Sequence, residues 1–305
     1  MRNNVQCGGG AKDIQGGFDV RFLAFQQRHV GGLAIEVAGV ARGLTANDVQ
    51  YPGDLDALVR KGRPALEAAA AVLGAAPAID LASVAYAPPF RFPEKIICVG
   101  LNYADHSAES GFKQPDYPTL FARFNSSLIG HNAPIIRPRL SHQLDYEGEL
   151  VAVIGKGGHR IAHGDALDHV IGYSIFNDGS VRDYQFKSPQ WTVGKNFDGT
   201  GAFGPCFVTA DELPPGGKGL KLQTRLNGAV VQEASTSDMV FDIATLIATI
   251  SEAITLCAGD VIVSGTPSGV GVSRKPPLFM KPGDIIEVEI ERIGVLSNPI
   301  ADEES

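Results

Sequence analysis

The chain reads as a β-rich α+β protein on three observations. From Lys95 onward, short apolar runs recur at 96–99, 150–154, 171–177, 222–226, 261–264 and 285–290, in a chain holding 36 glycines and 19 prolines. Helical periodicity is confined to two places, 54–73 and 242–254. Asn227-Gly228 separates two strand-like runs, and that dipeptide suits a type I′ hairpin turn because both central residues need positive φ.

Taken in order, residues 1–19 form a glycine-bearing lead expected to be loose. Runs at 21–26 and 33–40 follow as short strands. Asp54 is placed to cap a helix carrying Leu55, Leu58 and Val59, and Arg63-Pro64 opens a second with Leu66, Ala69, Ala70 and Leu73 at helical spacing. Residues 20–90 are therefore expected to form a small N-terminal α+β domain, ending in a proline-rich linker at 86–93, with a larger β-rich domain over 91–305. In the latter, Asp242 caps a helix whose Ile243, Leu246, Ile247, Ile250 and Ile254 repeat at the helical period, and Gly259 is its expected stop.

Composition excludes several roles. A formal charge of −8 argues against a nucleic-acid partner, whose phosphates would need a clustered basic face. No segment is long and apolar enough to span a bilayer, and the first ten residues lack the apolar stretch of a secretory leader, so a cytoplasmic protein without a membrane partner is expected. The four cysteines, 7, 98, 206 and 257, show no metal or disulfide spacing, which fits a reducing compartment. A small molecule is the expected ligand.

The chemistry-bearing residues fall in two acidic blocks and one His-x-x-Glu. Glu147 and Glu149 are two apart in a run continuing Leu150-Val151-Ala152, so on a strand they share a face, and Asp178 closes the run 170–176. Three hard oxygen donors at strand ends suit Mg²⁺, Mn²⁺ or Ca²⁺. Alternation alone leaves metal ligation and a solvated strand face about equally open, and Glu287, Glu289 and Glu291 show the latter pattern in the same chain. His106 and Glu109, three apart, share one face of a helix, where the carboxylate would orient the ring. In isolation such a pair reads as an exposed turn, and Lys195 as a surface lysine. The other six histidines, 29, 131, 142, 159, 163 and 169, have no such context and read as surface or structural.

Together, the segments 98–106 (CVGLNYADH), 145–150 (DYEGEL), 176–183 (FNDGSVRD) and 264–271 (SGTPSGVG), in this order and spacing, resemble the fumarylacetoacetate hydrolase superfamily, with further similarity at 280–284 and 294–299. The resemblance covers about 95–303. It implies a mixed β-sandwich roll beside a smaller N-terminal domain, a homodimer, and Mg²⁺ or Mn²⁺ held by Glu147, Glu149 and Asp178, with Ca²⁺ as a crystal substitute. It further implies that His106 and Glu109 activate water on a mobile lid, that Lys195 contacts water or substrate, and that Arg182, Gln185, Gly265, Thr266 and Tyr103 contact substrate. The expected reaction is hydrolytic carbon–carbon cleavage of a 2,4-dioxo acid of the acylpyruvate kind. Decarboxylation or keto–enol isomerisation of a related oxo-dioate in aromatic catabolism is the alternative, and a non-catalytic ligand-binding protein is the reading from another class. Two segments depart from the family pattern: 197–205 (FDGTGAFGP) lacks the usual Asp-Thr-Phe-x-Pro-x-Gly-Pro form, and Arg123 stands where lysine is frequent. Both are expected to border the substrate pocket.

Overall fold

The computed structural model describes residues 20–304 apart from 110 and 112; the lead expected over 1–19, with Cys7, lies outside the described residues. Two sheets dominate. The larger has eleven strands, in the order Val40–Thr45, Val30–Val37, Arg21–Gln27, Gly201–Thr209, Val170–Asp178, Gly148–Ile154, Val261–Val263, Ile96–Gly100 and Thr119–Ala122, with Ala85–Tyr86 and Leu128–Ile129 paired off this path. The smaller has five: Ala229–Ser235, Lys221–Leu226, Ile285–Ile290, Gly294–Asp302 and Ile135–Arg137. Pairing is mostly antiparallel, but Ile96–Gly100 runs parallel to Val261–Val263.

Strand Gly148–Ile154 is buried along its whole length, as its continuous apolar run requires of a strand covered on both faces. Its even residues, Leu150, Ala152 and Ile154, join the core shared with Leu222, Ile286 and Val288 of the smaller sheet. Its odd residues, Val151 and Val153, join a second core with Leu55, Leu58, Leu66 and Leu73 on the helical side. The result is a sheet sandwich with helices on the outer face of the larger sheet, the mixed strand-rich architecture expected.

Local signals hold where they are strong. Asp54 accepts the N–H of Ala57 at 2.8 Å and starts helix Leu55–Arg60, followed by Arg63–Gly74 with proline in its first turn. Lys221–Leu226 and Ala229–Ser235 pair through a turn in which Asn227 and Gly228 have φ of 51° and 79°. The acids Glu287 and Glu289 face outward and pair with Arg225 at 3.0 and 2.5 Å.

Three features differ from expectation. The helix begun at Asp242 ends at Ser251, so Ile254 lies beyond it and is exposed: apolar period alone does not mark where a helix stops. The stretch 86–93 is built into the fold, because Ala85–Tyr86 pairs with Arg21–Gln27 and Phe90 is buried against Phe203 and Phe207. Strand Arg21–Gln27 pairs antiparallel with Gly201–Thr209, so the sheet and its helical-side core run across the expected boundary at 90/91.

Candidate metal centre and active site

Strand parity brings the acids together. Glu149 continues the face of Val151 and Val153, and Asp178, cross-strand from Gly201, continues that of Phe176. One carboxylate oxygen from each of Glu147, Glu149 and Asp178 lies within 4.8 Å of the others, all buried. Backbone anchoring keeps them there: Asp178 donates its N–H to the Glu147 carbonyl at 2.8 Å, and Asn177 Oδ1 accepts the Glu147 N–H at 3.0 Å. Gly265 has a φ of 102°, open to glycine, and donates its N–H to Glu149 Oε2 at 2.5 Å. Its N–H is thus engaged by a carboxylate of the triad.

Cations surround the triad unevenly. Lys195 Nζ lies 2.6 Å from Glu147 Oε2 and 2.7 Å from Asp178 Oδ2. Arg182 Nη1 lies 2.7 Å from Glu147 Oε1, and Arg123 pairs with Asp178 Oδ1. Burial works against a charged Glu147, but Lys195, then Arg182 and His106, overcome it and hold the carboxyl at about 2. Glu149 has only the Gly265 N–H and more distant Lys195; burial, then the charges of Asp178 and Glu147, push it well above the ordinary range. A donor set with one carboxylate left uncompensated fits a divalent cation, which would neutralise it.

This asymmetry sets the pH dependence of the metal-free fold. The depressed Glu147 adds stability above the ordinary glutamate range that is lost as pH falls toward about 2. The raised Glu149 acts oppositely: its contribution is complete below the ordinary value and is lost as pH rises. Chelator-stripped protein is therefore expected to melt lower as pH rises above the ordinary glutamate range, and Mn²⁺ to raise the melting temperature more as that rise proceeds. Calorimetric melting with and without Mn²⁺ checks this, and a metal effect that shrinks with rising pH would refute it.

Above the triad is a cavity of about 240 Å³ lined by His106, Glu109, Arg182, Gln185, Lys195 and Thr266, with Trp191, Phe121 and Phe186 among its apolar walls. His106 and Glu109 lie on the short helix Ala104–Glu109, with Nδ1 and Oε1 3.1 Å apart. The carboxylate accepts the Nδ1 proton in the neutral ring, leaving Nε2 as the basic nitrogen. Glu109 is itself held by the N–H groups of Gly269 at 2.9 and 3.0 Å and of Val270 at 3.4 Å, which ties the helix to the 264–271 segment.

Not every expected site residue faces the cavity. Tyr103 is buried at the corner before the helix, bridges to Met239 and does not line the cavity; its hydroxyl is buried without a partner, and burial, then the charge of Glu149, pushes it up. Thr266 lines the cavity, but its hydroxyl already accepts from Gln232 Nε2 at 2.8 Å and donates to the Gly148 carbonyl at 3.1 Å. Gln185 Oε1 accepts from Arg182 Nη1 at 2.8 Å. Of the departing segments, only Phe121 beside Arg123 lines the cavity; Arg123 itself is buried behind Asp178. Sequence reasoning gave no role to Asp145, which accepts from Arg182 Nε at 2.8 Å and from the N–H groups of Gly271 and Val272 at 2.7 and 2.9 Å. Its place two residues before Glu147 was the available signal. Trp191, set against Phe121 with ring centroids 5.6 Å apart, carried no signal before the fold closed.

The family model described as fumarylacetoacetate (FAA) hydrolase, C-terminal, matches residues 95–301. The chain belongs to the fumarylacetoacetate hydrolase superfamily. Among similar proteins, the Xenopus laevis oxaloacetate tautomerase fahd2, mitochondrial, is 41% identical over 272 residues, covering 88% of this chain and 85% of its own length. The Homo sapiens oxaloacetate tautomerase FAHD2A, mitochondrial, is 39% identical over 289 residues and 92% of each chain. Among solved structures, a fumarylacetoacetate hydrolase from psychrophilic Exiguobacterium antarcticum superposes with a TM-score of 0.80 at 36% identity, covering 93% of this chain and all of its own. A maleylpyruvate hydrolase from Sphingobium sp. SYK-6, in complex with manganese (II) ion and pyruvate, gives 0.76 at 29% identity, over 93% of this chain and 100% of its own. This superfamily member thus carries a buried acidic triad of the kind that binds a divalent ion, and among the described residues no helix is long and apolar enough to cross a membrane.

Proposed function

We propose that this protein is a divalent-metal enzyme interconverting the keto and enol forms of a small 2-oxo dicarboxylic acid of the oxaloacetate type. The observation that carries this is a single oriented base, His106, facing the acidic triad across a cavity of about 240 Å³. Tautomerisation needs a base that takes a proton from the carbon beside the oxo group and returns it at oxygen, and Nε2 of His106 is that group. Glu109 fixes the ring's tautomer. Arg182 supports a dicarboxylate: Nε and Nη1 are committed to Asp145, Glu147 and Gln185, while Nη2 is buried without a partner in a residue lining the cavity. A substrate carboxylate would complete that guanidinium. Trp191, Phe121 and Phe186 give the cavity apolar walls suited to a short substrate. Glu147, Glu149 and Asp178 would hold Mg²⁺ or Mn²⁺, which when bound supplies Lewis-acid stabilisation of charge developing on the oxo oxygen. The relatives named oxaloacetate tautomerase, 39–41% identical, support this reading.

Hydrolysis of a 2,4-dioxo acid is the second reading, favoured by the same dyad if it activates water and by the maleylpyruvate hydrolase neighbour. Purified protein with Mn²⁺, offered enol-oxaloacetate and acetylpyruvate, separates the two. The tautomerase is expected to speed loss of the oxaloacetate enol absorbance with no carbon dioxide and no new acid formed. Acetate from acetylpyruvate would establish the hydrolase instead, and stoichiometric carbon dioxide a decarboxylase.

Binding has an intrinsic reporter. Trp191 is the one tryptophan of the chain and stands in the cavity wall. Oxalate, a dianion that mimics the chelating end of a 2-oxo acid, is expected to change its fluorescence only when Mn²⁺ is present. A change of equal size with chelator in the buffer would place oxalate binding elsewhere.

A further inference from the structure

We propose that Arg123, Thr200 and Gly201 form one positioning unit for Asp178, in which the threonine and glycine are what allow an arginine to stand at 123. The inference rests on the metal-centre reading above. It joins the two segments in which the sequence departs from the family pattern, 121–124 and 197–205, and the structure brings them into contact behind the triad.

The guanidinium is committed at every nitrogen. Nε donates to Ser127 Oγ at 3.2 Å, Nη1 to Asp178 Oδ1 and to the Gly179 carbonyl at 3.2 Å, and Nη2 to Thr200 Oγ1 at 2.8 Å. Thr200 passes its own proton to the Phe197 carbonyl at 2.7 Å, so its oxygen is oriented as an acceptor. The guanidinium carbon lies 5.4 Å from the centre of the Phe176 ring. Gly201 supplies the space: a Cβ there would lie 2.9 Å from Nη2 and 3.1 Å from Cζ of Arg123. A side chain at 201 would crowd the guanidinium and also the Phe176 ring, whose Cζ would lie 3.0 Å from its Cβ.

The consequence falls on Asp178. With Oδ1 gripped by a planar fork that is itself pinned at Ser127, Gly179 and Thr200, the carboxylate cannot rotate, and Oδ2 stays toward Lys195 and Glu147. A lysine could neutralise Asp178 as a point charge but could not make these contacts together in fixed geometry. Arg123 touches neither the cavity nor its expected ligand and acts through Asp178 alone.

The test is Mn²⁺ affinity, measured by titration calorimetry on the parent, R123K, T200V, G201A and the double variant R123K/G201A. Loss of a residue that orients a metal ligand is expected to weaken binding about 10–100-fold in R123K, and by part of that in T200V, which removes the acceptor at nearly constant shape. G201A should weaken the parent and cost clearly less in the R123K background, where the new methyl meets Phe176 but no guanidinium. Additive losses would mean general damage to the fold and would overturn the proposal, as would parent-like affinity in R123K. Should R123K fail to fold, T200V decides: parent-like affinity there overturns the proposal as well. A parent that takes up no Mn²⁺ overturns the metal-centre reading together with this one, whereas a parent that binds beside an unimpaired R123K overturns this one alone.

Discussion

Asp178→Ala is expected to abolish Mn²⁺ uptake and to destabilise the metal-free protein by about 3–5 kcal/mol, the range for removing one partner of a buried ion pair. Two buried cations lie on this carboxylate: Arg123 on Oδ1, and Lys195 on Oδ2 at 2.7 Å. Lys195 keeps Glu147, but Arg123 is left with only neutral acceptors. For a chain of this size the melting temperature should fall by about five to eight degrees. Asp178→Asn separates the two effects. The amide oxygen still accepts from Arg123, so much of the stability should return, while a neutral side chain is a poor ligand and Mn²⁺ binding should stay lost. Calorimetric titration and melting of both variants check this. Parent-like Mn²⁺ affinity in the alanine variant would remove Asp178 from the metal centre and, with it, the reading of the triad.

His106→Asn is expected to lower kcat by about 10²–10⁴-fold, the usual yield of a positioned acid–base group, while leaving Mn²⁺ affinity as in the parent. The contrast follows from where the ring stands. His106 lines the cavity from the helix Ala104–Glu109, outside the cluster of oxygens contributed by Glu147, Glu149 and Asp178. Its loss should leave the donor set whole and take away the proton carrier. Steady-state kinetics on enol-oxaloacetate, with Mn²⁺ affinity measured on the same preparation, reads both quantities. Unchanged kcat would assign the proton transfer to another group, with Lys195 next in line by proximity to the triad. The pair of variants thus separates holding the ion from moving the proton.

The residues of the candidate site were legible in the sequence to the extent that local geometry places them. Period-two alternation puts Glu149 on the face of Val151 and Val153, and Asp178 on that of Phe176, and the fold keeps those faces. His106 and Glu109 share a helical face by their spacing and meet at 3.1 Å. Asp54, Asp242 and Asn227-Gly228 mark their caps and turn because the capping carboxylate and the positive φ are properties of a few neighbouring residues. The orientation of Tyr103 was not legible for the complementary reason: a motif fixes its position in the chain, whereas which way it points depends on the core that closes around it.

By itself, then, the sequence determined several of the strands and helices, which acids share a face, and which family the chain resembles. The tertiary structure alone decided that strand Arg21–Gln27 would extend the sheet beside Gly201–Thr209, that Asp145 would hold Arg182, and that Arg123 would reach Asp178 through space cleared by Gly201. The physical reason is one of range. Backbone geometry repeats over two or four residues and so writes the direction of each side chain into local order, but the partner it meets comes from tens or hundreds of residues away and is chosen only when whole sheets pack.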